Sequence, residues 1–224
     1  MKKSIILLAA MASLMAGCVS DDYPEEVNHT DRMVSFSGKR PSYSRADKVG
    51  KDAADELGDS FLVYGFKGDG SFYAGNTQEV FDYYLVNYSE GSDYTTTTNT
   101  DGWEYVGTPV INSLVADIAK DGTQTPKYWD YGQAQYGFVA FSKGTNTGNI
   151  ENYITDAKID YTKISSTVDP VYTLTGDADK LKNFFVSDLH IVEKENYGQP
   201  VKLNFRTNGA KVRIGIYETI PFIL

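Results

Sequence analysis

Short runs of aromatic and β-branched residues, separated by polar turn residues, recur along most of the chain. The segment "MVSFS", residues 33–37, alternates apolar and polar positions, and eight further runs follow it. They are FLVYGF at 61–66, VFDYYLVNY at 80–88, WEYVG at 103–107, YGFVAFS at 136–142, AKIDYTKI at 157–164, FFVSDLHIVEK at 184–194, VKLNF at 201–205 and VRIGIYETI at 212–220. Nearly every gap contains Gly, Asn, Asp, Ser or Thr, and there is no βαβ alternation. The pattern predicts an all-β fold, an antiparallel β-sandwich or barrel.

Two intervals have the pattern of short helices. In "TPVINSLVADIAKDG", residues 108–122, Thr108 is suited to cap the N-terminus and Pro109 to occupy the first helical position. The second interval, "DADKLKNF" at 177–184, has room for two turns, and one further turn is predicted at Ala53–Leu57. Near the end of the chain, "TNGA" at Thr207–Ala210 separates two alternating runs, and Asn-Gly favours a type I′ hairpin there.

The N-terminus has the layout of a secretory signal. Two lysines precede an apolar run at 5–15 that is too short to span a bilayer, and Ala16 and Gly17 then precede Cys18, the only cysteine of the chain. Small residues directly before a cysteine are typical of bacterial lipoprotein processing, in which the thiol receives a diacylglycerol and the freed amine a further acyl chain. We therefore predict a signal peptide at 1–17, lipidation of Cys18 and an acidic tether at 18–32. The alternative is a cleaved soluble protein or a buried free cysteine.

Composition narrows the choice of partners. The net charge is −9, and it is more negative once the lysines of the signal are removed, which argues against nucleic acid and anionic lipid surfaces as partners. The chain contains 17 Tyr, 11 Phe and 2 Trp, a composition typical of a packed β protein and not of a disordered stalk.

The residues that carry catalysis or bind metals are sparse. The two histidines, His29 and His190, have no cysteine partner, and His190 is predicted to be a solvated strand residue. A nucleophile elbow and a glycine-rich phosphate loop are both absent from the sequence. Five carboxylates are interpreted as turn or solvent-face residues: Asp69, Asp82, Asp101, Glu104 and Asp130. The sequence therefore predicts no enzyme activity, no metal site and no cofactor other than the lipid on Cys18.

Aromatic clusters around Trp103 and Trp129 offer one candidate binding site. Exposed rings can stack on the apolar face of a sugar, so these two residues and the neighbouring tyrosines are a candidate glycan contact. The alternative is that the rings form the core of the sandwich and its rim, with tyrosine hydroxyls reaching water.

An ordered series of segments resembles a known family. The series is "MVSFSGKRPSYSRADK", "FLVYGFK", "VFDYYLVNY", "DGWEYVG", "TPKYWDYGQAQYGFVAFS", "FFVSDLHIVEKENYGQPVKLNF" and "AKVRIGIYETIP". It resembles the fimbrillin-like surface lipoproteins of Bacteroidales, which are subunits and accessory proteins of type V pili, over most of residues 33–221.

This resemblance implies a transthyretin-like β-sandwich, here residues 33–224, whose first strand is removed by proteolysis after an arginine. The removed strand would be Met33–Ser37, formed by Met33, Val34, Ser35, Phe36 and Ser37. The cut would follow Arg45, or alternatively Arg40, although Pro41 hinders most proteases there. A strand donated by a neighbouring subunit would then pair with the exposed sheet edge.

The resemblance also implies a location and partners. An acidic stretch after the lipidated cysteine, here Asp21 and Asp22, resembles the signal that sends lipoproteins to the outer face of the outer membrane. The expected partners are other fimbrial subunits, the outer membrane through the lipid, and a host protein or glycan. Family members continue past "YETIP" into a second domain, whereas this sequence stops at Leu224. Three functions are therefore open: a fimbrial subunit or accessory protein, a surface glycan-binding lipoprotein, and a truncated product that does not assemble.

Overall fold

The computed structural model describes residues 33–41, 47–70, 77–89, 101–109, 122–160 and 171–208. Within these ranges the chain forms ten strands and two short α-helices. The strands are β1 Phe36–Lys39, β2 Ser60–Gly68, β3 Gln78–Tyr88, β4 Trp103–Glu104, β5 Gln135–Ser142, β6 Ile154–Asp160, β7 Val171–Gly176, β8 Phe185–Ser187, β9 His190–Glu193 and β10 Val201–Thr207. The helices are α1 Gly50–Leu57 and α2 Ala178–Leu181. The predicted all-β class with one or two short helices is confirmed.

Most strands belong to one sheet with the order β1-β10-β8-β5-β2-β3-β4, and β9 pairs with β5 beside β8. Strands β6 and β7 form a separate antiparallel hairpin. Every pair in the large sheet is antiparallel except β1 and β10, which run parallel. Since most of the domain separates β1 from β10 in sequence, no hairpin sets the direction of this pair, and the sequence pattern did not reveal it.

The sheet buries apolar side chains on both faces. One core cluster includes Phe61 and Val63 of β2, and the other includes Leu62 and Tyr64 from the same strand. Because a central strand is buried on both faces, its sequence is a continuous apolar run without alternation. A Cβ at Gly38 of β1 would lie 3.1 Å from the Trp103 ring of β4, so the two ends of the strand order meet and the sheet is nearly closed around the first cluster.

A β-bulge in β3 shifts the alternation of its side chains between the two core clusters. Val63 pairs with Tyr84 and Gly65 with Phe81, so one extra residue of β3 lies between these pairs. Tyr83 in the bulge has φ +50°, and its ring enters the second cluster while Phe81 and Tyr84 both belong to the first. Simple alternation along "VFDYYLVNY" would have placed Phe81 and Tyr83 on one face.

The helices form where local signals predict them. Helix α1 includes the turn predicted at 53–57, buries Ala53, Ala54 and Leu57, and ends at Gly58 in the left-handed conformation. Helix α2 follows Asp177, whose side chain accepts a hydrogen bond from the Asp179 N–H at 2.8 Å, and confirms the short helix predicted in 177–184. Pro109, predicted to be the first residue of a helix, instead forms an isolated antiparallel bridge with Thr123. The rest of that predicted helix, the "TNGA" turn and the strand at 212–220 fall wholly or largely outside the described residues.

Candidate functional site: the groove of the first strand

Residues 33–40, called the first segment below, are joined to the domain by backbone hydrogen bonds on two sides. The Val34 N–H donates to the carbonyl of Lys127 at 2.9 Å, and the Val201 N–H donates to the carbonyl of Ser35 at 2.8 Å. The parallel ladder with β10 then runs from the pair Phe36 and Val201 to the pair Lys39 and Asn204. The candidate removable strand at 33–37 is thus part of an edge segment that pairs with β10 through 39.

The side chains of the first segment reach the centre of the first core cluster. Val34 and Phe36 are both fully buried. The Phe36 ring contacts three other rings edge-on, with centroids 5.1 Å from Phe81, 5.5 Å from Phe138 and 5.8 Å from Tyr105. Edge-to-face pairs of this kind add to the energy of burial alone. A strand at the edge of the sheet therefore supplies a side chain at the centre of the core.

Gly38 completes the inward-facing row of the first segment. A Cβ at this position would lie 3.1 Å from Trp103, 3.2 Å from Leu57 and 3.3 Å from Phe61, three side chains that are themselves fully buried. The wall around the first segment is called the first-strand groove below. It is formed by β10 and by the side chains of Leu57, Phe61, Phe81, Trp103, Tyr105 and Phe138.

The Tyr105 hydroxyl fixes the entrance of the groove. It donates to the carbonyl of Val34 at 2.9 Å and accepts from the Lys127 N–H at 3.1 Å. Burial raises the pKa of this phenol well above its ordinary value, and the hydrogen bond from the Lys127 backbone opposes the shift in part. The hydroxyl is therefore neutral at physiological pH and remains a hydrogen-bond donor to the first segment.

The two ends of the loop after β1 are held together at its base. Arg40 and Lys48 exchange both backbone hydrogen bonds at 3.0 Å. The Glu56 carboxylate of α1 accepts from Arg40 Nη1 at 2.6 Å and from Lys48 Nζ, and Lys39 pairs with Asp47 at 2.6 Å. The candidate cleavage site Arg45 lies between these ends, outside the described residues, as do Cys18, Asp21 and Asp22.

Arg40, the alternative cleavage site, is held in place on several sides. Besides its backbone bridge and its ion pair, its guanidinium carbon lies 4.5 Å from the centroid of the Phe185 ring. Its Nε is buried and has no hydrogen-bond partner within the described ranges. A protease must draw the residues around its cleavage site into an extended, unpaired conformation, so these contacts disfavour a cut after Arg40.

Trp103 and Trp129, the candidate glycan contacts, are not exposed for stacking on a sugar. Both indoles are buried in the first cluster. The Trp103 ring packs against Phe61 at 4.9 Å, and the Trp129 ring stacks on Tyr197 at 4.6 Å with 14° between the planes. With their faces covered by other side chains, the two indoles have no surface for a glycan, and the alternative core interpretation applies to them.

The tyrosines on either side of Trp129 have a different environment. Tyr128 is 47% exposed and Tyr131 is 41% exposed. Between them, Asp130 pairs with Lys67 at 2.6 Å and accepts from the Gly132 N–H at 2.9 Å. The hydrogen bond from Lys67 is the main reason why the pKa of Asp130 is lowered from its ordinary value. Two accessible phenol rings therefore lie within four consecutive residues, on either side in sequence of Asp130 and its ion pair.

Two polar residues are more buried than expected. His190, predicted to be solvated, is half-buried opposite Phe138 in β5, while its neighbour Ile191 is 45% exposed. Burial lowers the pKa of His190 and favours the neutral ring. Asp82, interpreted as a turn or solvent-face residue, is buried in β3, where the bulge interrupts the alternation. Both expectations were wrong because the alternation alone did not show which face was covered.

In the part of the chain that the structure describes, no group of three or more His, Cys, Asp or Glu side chains is arranged to hold a metal ion. None of the described helices is long and apolar enough to cross a membrane.

Gln124 is an important residue that sequence reasoning missed. Its side chain is buried and replaces a strand at the edge of β3: Oε1 accepts from the Leu85 N–H at 2.6 Å, and Nε2 donates to the carbonyls of Leu85 and Tyr105 at 2.8 Å. This holds Tyr105 against β3 and so positions one wall of the groove. A glutamine in a polar stretch gives no sequence signal of such a role.

No protein-family model matches the chain, and comparisons with curated proteins and with solved structures give no significant match. The resemblance to fimbrillin-like lipoproteins therefore rests on the ordered sequence segments alone.

Proposed function

We propose that this chain is a structural or adhesive surface lipoprotein, a fimbrial subunit or accessory protein that assembles by strand donation between subunits at the first-strand groove. One observation carries the proposal: a four-residue edge strand at the start of the domain supplies Phe36 to the centre of the core. The proposed activity requires no catalytic residue and no cofactor other than the lipid on Cys18.

Removal of the first segment would leave a vacancy that another strand is well suited to fill. Burial of a phenylalanine side chain contributes roughly 1.5–3 kcal/mol, and this is lost when Phe36 leaves. The backbone groups of Val201 and Lys127 that now pair with the segment would also lose their partners. A strand from a neighbouring subunit restores both kinds of interaction at once, which is the physical basis of β-strand addition.

The proposed order of events follows from the position of Arg45. Lipidation at Cys18 and the acidic residues Asp21 and Asp22 would deliver the protein to the outer face of the outer membrane. A cut after Arg45 would then separate the domain from both the lipid and the first strand. The ion pairs Arg40–Glu56 and Lys39–Asp47, together with the backbone hydrogen bonds between Arg40 and Lys48, join the two sides of the cut. They would hold the segment in place until a partner arrives.

Limited trypsin digestion of the folded protein, followed by mass analysis, tests the proposal. We expect the earliest fragment to end at Arg45, and ladders of higher oligomers to appear after the cut. The variant Arg45→Gln should prevent both, whereas the matched variant Arg40→Gln should prevent neither. Resistance of the 44–47 loop while other sites are nicked would count against the proposal, as would cutting without any oligomers.

A second candidate function is glycan binding, and the exposed rings of Tyr128 and Tyr131 favour it. They flank Trp129, whose fluorescence can therefore report on a ligand at this surface. Saturable quenching by a polysaccharide, abolished in a Tyr128→Ala and Tyr131→Ala double variant, would support this function. Unchanged fluorescence across a panel of glycans would leave fimbrial assembly as the better-supported function.

A further inference from the structure

We infer that the first-strand groove accepts a strand with an apolar residue, an aromatic residue and a glycine at every second position, and that it selects by size at the second and third of these positions. In the chain itself these positions are Val34, Phe36 and Gly38. The inference rests on the proposed strand exchange, because it specifies which foreign strand the groove can take.

The second position requires an aromatic ring. Phe36 touches Phe81, Phe138 and Tyr105 edge-on, and all three are fully buried, so the walls are closed to solvent. An aliphatic side chain would leave part of this space empty, and an unfilled cavity in a core costs free energy in proportion to its volume.

The third position admits only glycine without movement of the walls. A Cβ there would be 3.1–3.3 Å from three ring or methyl carbons, and their residues, Trp103, Leu57 and Phe61, are packed on all sides. The φ angle of Gly38 is not positive, so the requirement is one of space and not of backbone conformation. A strand shifted by two residues would place a side chain at this position, so the glycine also sets the register.

Backbone contacts at the entrance are independent of sequence. The Tyr105 hydroxyl and the Lys127 carbonyl bind the C=O and N–H of the residue at the first position, here Val34. These two bonds and the parallel ladder with β10 give any strand its direction, while the three side-chain positions discriminate among strands.

The last five residues of the chain provide a natural contrast. "IPFIL", Ile220–Leu224, has an apolar residue, an aromatic residue and a leucine at the same spacing as Val34, Phe36 and Gly38. It matches the first two positions and places a large side chain at the third. We therefore expect a peptide of this sequence to be a poor occupant.

The test uses the full chain with a specific protease site in place of residues 42–46, cut in the folded state. A labelled peptide with the sequence of residues 33–40 is added in excess in sub-denaturing urea, and its exchange for the cut segment is followed by fluorescence anisotropy.

We expect this peptide to bind. A Phe36→Ala peptide should bind at least about 100-fold more weakly, and a Gly38→Val peptide at least about tenfold more weakly. A Lys39→Gln peptide is the matched control and should change affinity by less than about fivefold, because its ion pair with Asp47 is partly exposed. The "IPFIL" peptide should compete no better than the Gly38→Val peptide.

The outcomes separate the two proposals. Exchange of all peptides with similar affinity overturns the size selection and leaves strand exchange intact. Retention of the cut segment against every peptide overturns strand exchange itself. In the uncut chain, Gly38→Ala should lower the urea midpoint of unfolding, and Gly38→Val should lower it further. Where there is room for a Cβ, a Gly→Ala change usually stabilises a protein, because it reduces the conformational entropy of the unfolded chain. An unchanged or raised midpoint for Gly38→Ala would therefore be enough to overturn the steric requirement for glycine.

Discussion

At the scale of single residues, one buried hydroxyl connects three separate stretches of the chain. Tyr105 directly follows β4 in the sequence, and its hydroxyl forms hydrogen bonds with the backbone of Val34 and of Lys127. Nε2 of Gln124 donates to the Tyr105 carbonyl. The arrangement lets the groove hold the backbone of the first segment without regard to its side chains. Loss of the hydroxyl alone should therefore be measurable.

We predict that Tyr105→Phe lowers the free energy of unfolding by about 1–2 kcal/mol. The ring still fills the core, but the buried carbonyl of Val34 is left without a donor. Urea unfolding followed by circular dichroism measures the loss. Tyr128→Phe, at an exposed ring, is the control and should stay within about 0.5 kcal/mol of the parent. Equal effects of the two variants would contradict the role given to the Tyr105 hydroxyl.

Residue type alone did not distinguish buried from accessible aromatic side chains. Trp103, Tyr105 and Trp129 occur in similar aromatic and polar surroundings in the sequence as Tyr128 and Tyr131, yet only the last two are exposed. The difference arises because Tyr197, Phe61 and other distant residues cover the first three. Contacts of that range are invisible to local patterns.

At the scale of elements, the end of α1 is packed directly against the turn that follows β5. Gly58 has φ +70°, and a Cβ there would lie 2.1 Å from the carbonyl oxygen of Gly144. Gly50, at the start of the same helix, has φ +54° but no atom within 4 Å of the position of a Cβ. The two glycines thus share a backbone conformation and differ in the space around them.

We predict that Gly58→Ala destabilises the protein far more than Gly50→Ala. Each variant costs ~1–2 kcal/mol for a left-handed alanine. Gly58→Ala must in addition displace the backbone at Gly144, so we expect its loss of unfolding free energy to be well above that of Gly50→Ala. Thermal and urea unfolding of both variants provide the comparison. Losses of equal size would show that the backbone conformation, and not the close approach, makes Gly58 necessary.

At the scale of the whole molecule, buried tyrosines cause the free energy of unfolding to fall at alkaline pH. Burial raises the pKa of Tyr136 to about 12, and the hydrogen bond that its hydroxyl accepts from the Asp130 N–H opposes this in part. Burial also raises the pKa values of Tyr105 and Tyr197. A raised pKa in the folded state means that the unfolded chain loses its phenolic protons first, at about pH 10.

We predict that the free energy of unfolding contributed by these tyrosines is fully present below about pH 10 and is lost as pH rises from there through about 12. Urea unfolding at a series of alkaline pH values measures the slope. The double variant Tyr105→Phe and Tyr136→Phe should have a shallower slope than the parent, whatever its absolute stability. A slope identical to that of the parent would show that these phenols do not control the transition.

Local sequence patterns were enough to predict the all-β class and the two described helices, because these depend on local propensity. The strand runs, the turn residues between them, the Asp177 cap and the turn at Ala53–Leu57 each act over a few neighbouring residues. The position of the candidate site at the first strand also came from sequence, through a resemblance and not through chemistry visible in the residues.

The way the first segment is held and the side chains that the groove accepts depend on contacts between distant parts of the chain, which the sequence did not reveal. The parallel pairing of β1 with β10 and the hydrogen bonds of the buried Gln124 side chain join residues that are far apart in the chain. The exchange of faces at Tyr83 depends on a bulge that breaks the local alternation. Gly38 shows the reason most directly: in sequence it is one of 20 glycines, and only the three side chains packed against it make its lack of a Cβ necessary.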